Sequence, residues 1–175
     1  MKTLRLTKKD FKEVDGYKEY TGKEDLTDFE GNLEFEANLG WIKVLSIKVS
    51  GYISIEAGGS IKAGGWIEAG GSIEAGGSIE AGGSIEAVLG GITAGLYITC
   101  KTVLKCKLRI FAGVTPYSWR DNPDKTITCG KLESGTVAYG ELKELGLLET
   151  KDEVKGKTVK IRLDDGQTVT GTIVE

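Results

Sequence analysis

Residues 51–92 read GYISIEAGGSIKAGGWIEAGGSIEAGGSIEAGGSIEAVLGGI, and this stretch decides the fold. After Gly51–Ala57 the text falls into units of six: GGSIKA, GGWIEA, then GGSIEA three times. Aliphatic residues recur at Ile55, Ile61, Ile67, Ile73, Ile79 and Ile85. One residue is inserted near Val88, and the column resumes at Ile92, Ile98, Leu104 and Ile110. A second, small-residue column sits two places later: Ala57, Ala63, Ala69, Ala75, Ala81, Ala87, Ala94, Cys100, Cys106 and Ala112.

A period of six fits neither the 3.6 of a helix nor the 2 of a strand. The unit is a short strand plus a corner. Within Ser-Ile-Glu-Ala the side chains alternate, so Ile is expected inside and Ser and Glu outside. Gly-Gly supplies the bend. Three units close a triangular coil of about 18 residues, and coils stack at the strand spacing of about 4.8 Å. The expectation is an all-β chain built on a short, three-sided parallel β-helix. Parallel crossovers are overwhelmingly right-handed, whereas strict hexads mark the left-handed exception; we expect the right-handed form. Ile61, Ile73, Ile79, Ile85 and Ile98 should form the core, with Cys100 and Cys106 in inward small-residue slots.

The less regular alternation of Leu33–Val49 adds a further coil, so three segments are expected: an N-terminal cap at 1–32, the β-helix at 33–112 and a strand-rich tail at 113–175. Thr7 and Asp10 resemble a helix start, and Phe11, Val14 and Tyr17 make an apolar stripe, so the cap is expected to be a short helix ending near Gly16. After Ala112 the repeat breaks. Pro116, Trp119 and Arg120–Lys125 read as a loop, followed by strands at Thr126–Cys129 and Thr136–Tyr139 and a helical turn at Glu141–Leu145. Val159, Ile161 and Leu163 alternate with Lys160 and Arg162 ahead of Asp165-Gly166, which predicts a terminal β-hairpin.

Composition narrows the chemistry. There is no histidine, which removes the commonest general base and metal ligand. Three cysteines, an odd count, argue against a disulfide framework. No metal or cofactor is expected. The charged start MKTLRLTKKDFKEV lacks the apolar core of a signal peptide, and no apolar run reaches a membrane span, so a cytoplasmic protein is expected. Residues 51–100 carry Glu56, Glu68, Glu74, Glu80 and Glu86 against Lys62, whereas Lys101, Lys105, Lys107 and Arg109 come next with no acid.

The repeat resembles that of bacterial hexapeptide-repeat acyltransferases in its aliphatic and acidic positions, and departs where Gly replaces their usual fifth residue. Enzymes of that class and related carbonic anhydrases rely on histidine, so neither activity carries over. Bactofilin-type polymer-forming proteins are similar in their Gly-rich I-x-A repeats. Short phage and prophage proteins with tandem I-x-A-G-x-G or I-x-A-W-D repeats are also similar, which implies a phage origin and no particular chemistry. The terminal hairpin resembles the first strands of Sm-like and SH3-like barrels over under 20 residues; the other barrel strands are absent, so it is read as a cap or pairing edge.

These readings favour a non-enzymatic binding protein. Its expected partner is a bacterial host protein, such as a nucleic-acid-binding complex disarmed by an anti-CRISPR or antirestriction inhibitor. The Glu ladder is the candidate mimic of a phosphate backbone, with Glu56 stacked under Glu74, Glu68 under Glu86 and Lys62 under Glu80. Trp66 and Tyr97 replace the serine of the repeat and, with Trp119, are candidate aromatic anchors. A homodimer through Val159–Ile173 is expected. The alternative is a structural, polymer-forming protein.

Overall fold

The computed structural model describes residues 1–114, 124–146, 158–162 and 168–172, the last two stretches as backbone. Trp119, the loop around it and the Asp165-Gly166 turn lie outside the described residues. The chain is a parallel β-solenoid with three faces. Face I stacks Thr3–Leu6, Asn32–Phe35, Ile53–Ile55, Ile73–Ala75, Ile92–Ala94 and the second half of Val103–Ala112. Face II stacks Tyr17–Tyr20, Gly40–Val44, Gly59–Ala63, Ile79–Ala81, Ile98–Cys100, Thr126–Cys129 and Glu141–Glu144. Face III stacks Ile47–Val49, Ile67–Ala69, Ile85–Ala87 and the first half of Val103–Ala112. Lys131–Tyr139 then pairs along that bent strand with several register shifts. The parallel ladder thus runs from Thr3 to Glu144, past both ends of 33–112.

The inward columns hold it together. Ile61 pairs with Ile79 and Ile79 with Ile98; Ile67 pairs with Ile85 and Ile85 with Leu104. Ile61, Ile73, Ile79, Ile85 and Ile98 are all fully buried, as the alternation requires. Each contributes roughly 1.5–3 kcal/mol through burial. Ala81 meets Cys100 and Ala87 meets Cys106, and all three cysteines are buried and unbonded.

Several expectations need correction. Ile55 belongs to the small-residue column, opposite Ala75, and Ile53 is the column partner of Ile73. The opening unit is one residue longer than a hexad, which leaves Ala57 exposed at a corner. Ser60 and Ser78 face inward at another corner and are buried; the Ser60 hydroxyl accepts a bond from the Ser78 amide at 3.0 Å. The N-terminal helix is absent. Thr7 and Asp10 do close a turn, the Thr7 amide donating to Asp10 Oδ2 at 2.7 Å, but it is a single 3-10 turn over Lys8–Asp10. Phe11–Val14 and Tyr17–Tyr20 then pair antiparallel. The reason is Asp15-Gly16, both at positive φ, the pair a two-residue hairpin turn demands. Cross-strand Phe11–Tyr20 and Val14–Tyr17 pairs account for the residues that resembled a helical stripe, with Lys12–Glu19 and Glu13–Lys18 between them. Glu141–Glu144 is likewise a strand, paired with Thr126–Cys129 rather than coiled into a turn. The terminal hairpin forms as expected, with Val159 opposite Gly171 and Ile161 opposite Val169.

The corner glycines are set by coil spacing. A Cβ on Gly82 would lie 2.0 Å from the Gly64 carbonyl oxygen of the neighbouring coil, whereas one on Gly64 would make only ordinary contacts with Leu45, its carbonyl oxygen at 3.5 Å and Cδ1 at 4.0 Å. Gly82→Ala is therefore expected to destabilise the fold by about 1–3 kcal/mol through overpacking, and Gly64→Ala by clearly less. Paired denaturant melts check this, and equal melting of the two variants would contradict it.

Candidate binding surface

The outward residues form one column on each face. On face I the order is Glu34, Ser54, Glu74, Thr93, so Glu74 stacks on Ser54 rather than on Glu56. Glu56 sits past the end of its strand and pairs with Arg5 at 2.8 Å. On face II, Lys43 precedes Lys62, Glu80 and Thr99, and Lys62 bridges Glu80 at 2.9 Å. On face III the column is Lys48, Glu68, Glu86, Lys105. Glu68 and Glu86 are stacked like charges, as expected, yet Lys48 bridges Glu68 at 3.0 Å and Lys105 bridges Glu86 at 2.9 Å. The neighbouring carboxylates hold the Lys48, Lys62 and Lys105 ammonium groups above their usual pKa, chiefly by direct hydrogen bonds. The five repeat carboxylates therefore do not make one acidic strip. They are divided among faces, and four of the five carry a cationic partner.

The two aromatic candidates also lie apart. Tyr97 stands at the corner between faces I and II, half-buried, its hydroxyl donating to Glu80 Oε1 at 2.5 Å. Burial first, and the Glu80 carboxylate second, push its pKa up to about 12. Lys62, Glu80 and Tyr97 form one satisfied polar cluster. Trp66 stands at the corner between faces II and III and is 47% exposed. Its amide donates to Ser46 Oγ at 3.3 Å in the preceding coil, where Leu45 is 81% exposed. Leu45 borders an open groove whose lining includes Tyr20, Leu26, Val44, Lys43 and Lys62. The Tyr20 hydroxyl donates to the Glu24 carbonyl at 3.1 Å, and burial raises its pKa. Lys43 bridges Glu19 at 2.7 Å on the rim.

Neither Leu45 nor the groove was visible in the repeat. Leu45 lies in VLSIKV, which reads as continuous strand because nothing marks Leu45-Ser46 as a corner. Val88 and Leu89 were legible only as an interruption, although both are exposed where other units place glycine. Comparison with known protein families, with curated proteins and with solved structures finds no match to this chain. Among the described residues there is no cluster of His, Cys, Asp and Glu able to hold a metal ion, and no helix long and apolar enough to cross a membrane.

The Tyr97 cluster has a pH signature. The unfolded tyrosine ionises near 10.0 and the folded one near 12, so alkali stabilises the unfolded chain first. The contribution of Tyr97 is complete below the lower value and is lost as pH rises through the upper one. In that window stability should fall more steeply in the parent protein than in Tyr97→Phe, measured by denaturant melts across pH. Parallel slopes would contradict the assignment.

Proposed function

We propose that this chain is a non-enzymatic binding protein, whose rigid solenoid presents the Leu45–Trp66 corner and its adjoining groove to a macromolecular partner. One observation carries the reading. Two large apolar side chains project from neighbouring coils at a corner where the next coil turns with Gly82-Gly83-Ser84, and at 81% and 47% exposure they add little to the core. Exposed aromatic and aliphatic anchors beside a groove are the usual centre of a protein interface. Lys43 and Lys62 at its edge give it a polar rim.

That the partner is a bacterial host macromolecule, inhibited by a phage-encoded protein, is proposed from the likeness of the repeats to phage proteins. Within that proposal, contact through the Trp66 corner has better support than phosphate mimicry, because the carboxylates are distributed over three faces beside lysines. The polymer-forming alternative draws support from Glu141–Glu144, whose four exposed residues end the face II ladder with no outer partner among the described residues.

Trp66→Ala and Leu45→Ala are each expected to weaken binding to the partner captured from host lysate by at least roughly 2 kcal/mol. Circular dichroism melting should be unchanged, because both side chains point outward. Unchanged affinity in both variants would move the working surface elsewhere.

A further inference from the structure

The corner between faces III and I departs most from the repeat. Backbone hydrogen bonds trace it from coil to coil: Gly51 N to Gly31 O at 2.8 Å, Gly71 N to Gly51 O at 2.8 Å, Leu89 N to Gly70 O at 3.0 Å and Leu108 N to Gly90 O at 3.1 Å. The ridge so defined displays, in order, Glu30, Tyr52, Gly71, Leu89 and Leu108. Leu89 is 64% and Leu108 56% exposed, and Val88 beside them is also exposed. The inserted residue near Val88 thus carries apolar bulk outward where the two preceding coils turn with Ser50-Gly51 and Gly70-Gly71. A contiguous exposed apolar ridge marks an interaction surface.

The charges along the ridge identify that partner. The acid at one end is Glu30 and the bases at the other are Lys107 and Arg109; all three are exposed, and no ion pair engages them among the described residues. Lys2 lies near the acidic end but bridges Glu24 at 3.7 Å. Beside the ridge, the face III column continues back to Asp28, whose neighbour Phe29 bridges Val49. From Asp28 to Lys105 that column reads Asp28, Lys48, Glu68, Glu86, Lys105, or minus, plus, minus, minus, plus, and in the next coil Glu133 lies 3.8 Å from the Lys105 ammonium. Laid antiparallel against itself, each outer charge meets its opposite: Asp28 faces Lys105 and Lys48 faces Glu86. The central Glu68 meets its own symmetry mate, and each is already neutralised by a Lys48 at 3.0 Å. On the ridge the same reversal sets Glu30 against Leu108 and its flanking Lys107 and Arg109, Tyr52 against Leu89, and the flat Gly70-Gly71 turn against itself.

We propose that a second copy of this chain covers the ridge, packed antiparallel about a two-fold axis near Gly71. Such an interface is self-complementary and closed, so it ends at a dimer. Leu89 against Tyr52 supplies its apolar contact, and Glu30, Lys107 and Arg109, exposed at the two ends, fix its register.

Sedimentation of the intact chain over a range of concentrations tests this. A dimer is expected, weakened by salt. Leu89→Asp with Leu108→Asp should raise its dissociation constant by at least roughly 100-fold while leaving the melting curve in place. Arg109→Glu alone and Glu30→Arg alone should each weaken the dimer, and the two in one chain should restore it, because the two-fold places them opposite one another. Ser72→Cys, beside the axis, should form a disulfide-linked dimer on mild oxidation, which the buried native cysteines do not. A monomer at every concentration, the outcome if another segment or an unrelated acidic protein covers the ridge, overturns the proposal. So does a dimer indifferent to the leucine changes, or a charge reversal that fails to rescue.

Discussion

Each coil of this solenoid leaves its isoleucines half-covered until the next coil lies on it. The inward Ile61–Ile79–Ile98 and Ile67–Ile85–Leu104 columns are therefore units of burial only in the stack. The other features derive from that requirement. The second inward column must be small for three strands to converge, and alanine or cysteine fills it from Ala63 to Ala112. Corners must let one backbone approach the next, and at Gly82 the space for a side chain is taken by the Gly64 carbonyl. At the N-terminal side of face II the ladder ends in the antiparallel Phe11–Tyr20 hairpin.

The same stacking governs the surface. Outward residues repeat at the coil spacing, so any charge retained in the hexad is placed next to its own copy. Glu68 and Glu86 are such a pair, and the chain relieves the repulsion by placing Lys48 and Lys105 beyond them. Glu80 has no stacked copy and is instead held by Lys62 and Tyr97. A regular sequence thus gives a surface of short, alternating columns rather than a uniform acidic face. Against that background the exposed apolar corners, Leu45–Trp66 on one ridge and Val88–Leu89–Leu108 on another, are the features that solubility alone does not call for.

The core was legible because burial imposes a strict period. Where the period held, from Ile61 to Ile85 and again from Ile92 to Ile110, the inward aliphatic and small-residue columns came directly from spacing, including the burial of Cys100 and Cys106, but the buried Ser78 did not follow it. Where it slipped by a residue, the reading failed: the longer unit at Gly51–Ala57 displaced Ile55 and Glu56, so the expected Glu56–Glu74 stack does not exist. Local signals misled where tertiary pairing decided the outcome. Thr7 and Asp10 form their turn, but Asp15-Gly16 folds Phe11–Val14 and Tyr17–Tyr20 into a hairpin, and Glu141–Glu144 is strand because Thr126–Cys129 offers it a ladder. The candidate surfaces were half legible. Trp66 was found as a departure from serine, whereas Leu45, Leu89 and Leu108 gained meaning only when the coils placed them on ridges.

The stacked columns should behave as one cooperative core from which the corners and edges project. Native-state hydrogen exchange read at single amides tests it most directly. The amides of Ile73, Ile79 and Ile85, each bonded into the neighbouring coil, should exchange only through global unfolding, at one shared free energy. Those of Glu141–Glu144, at the end of the ladder, should exchange through much cheaper local opening. Rapid or widely scattered exchange among the three isoleucine amides would contradict the account, because it would mean that the coils open one by one and the columns do not act as a core.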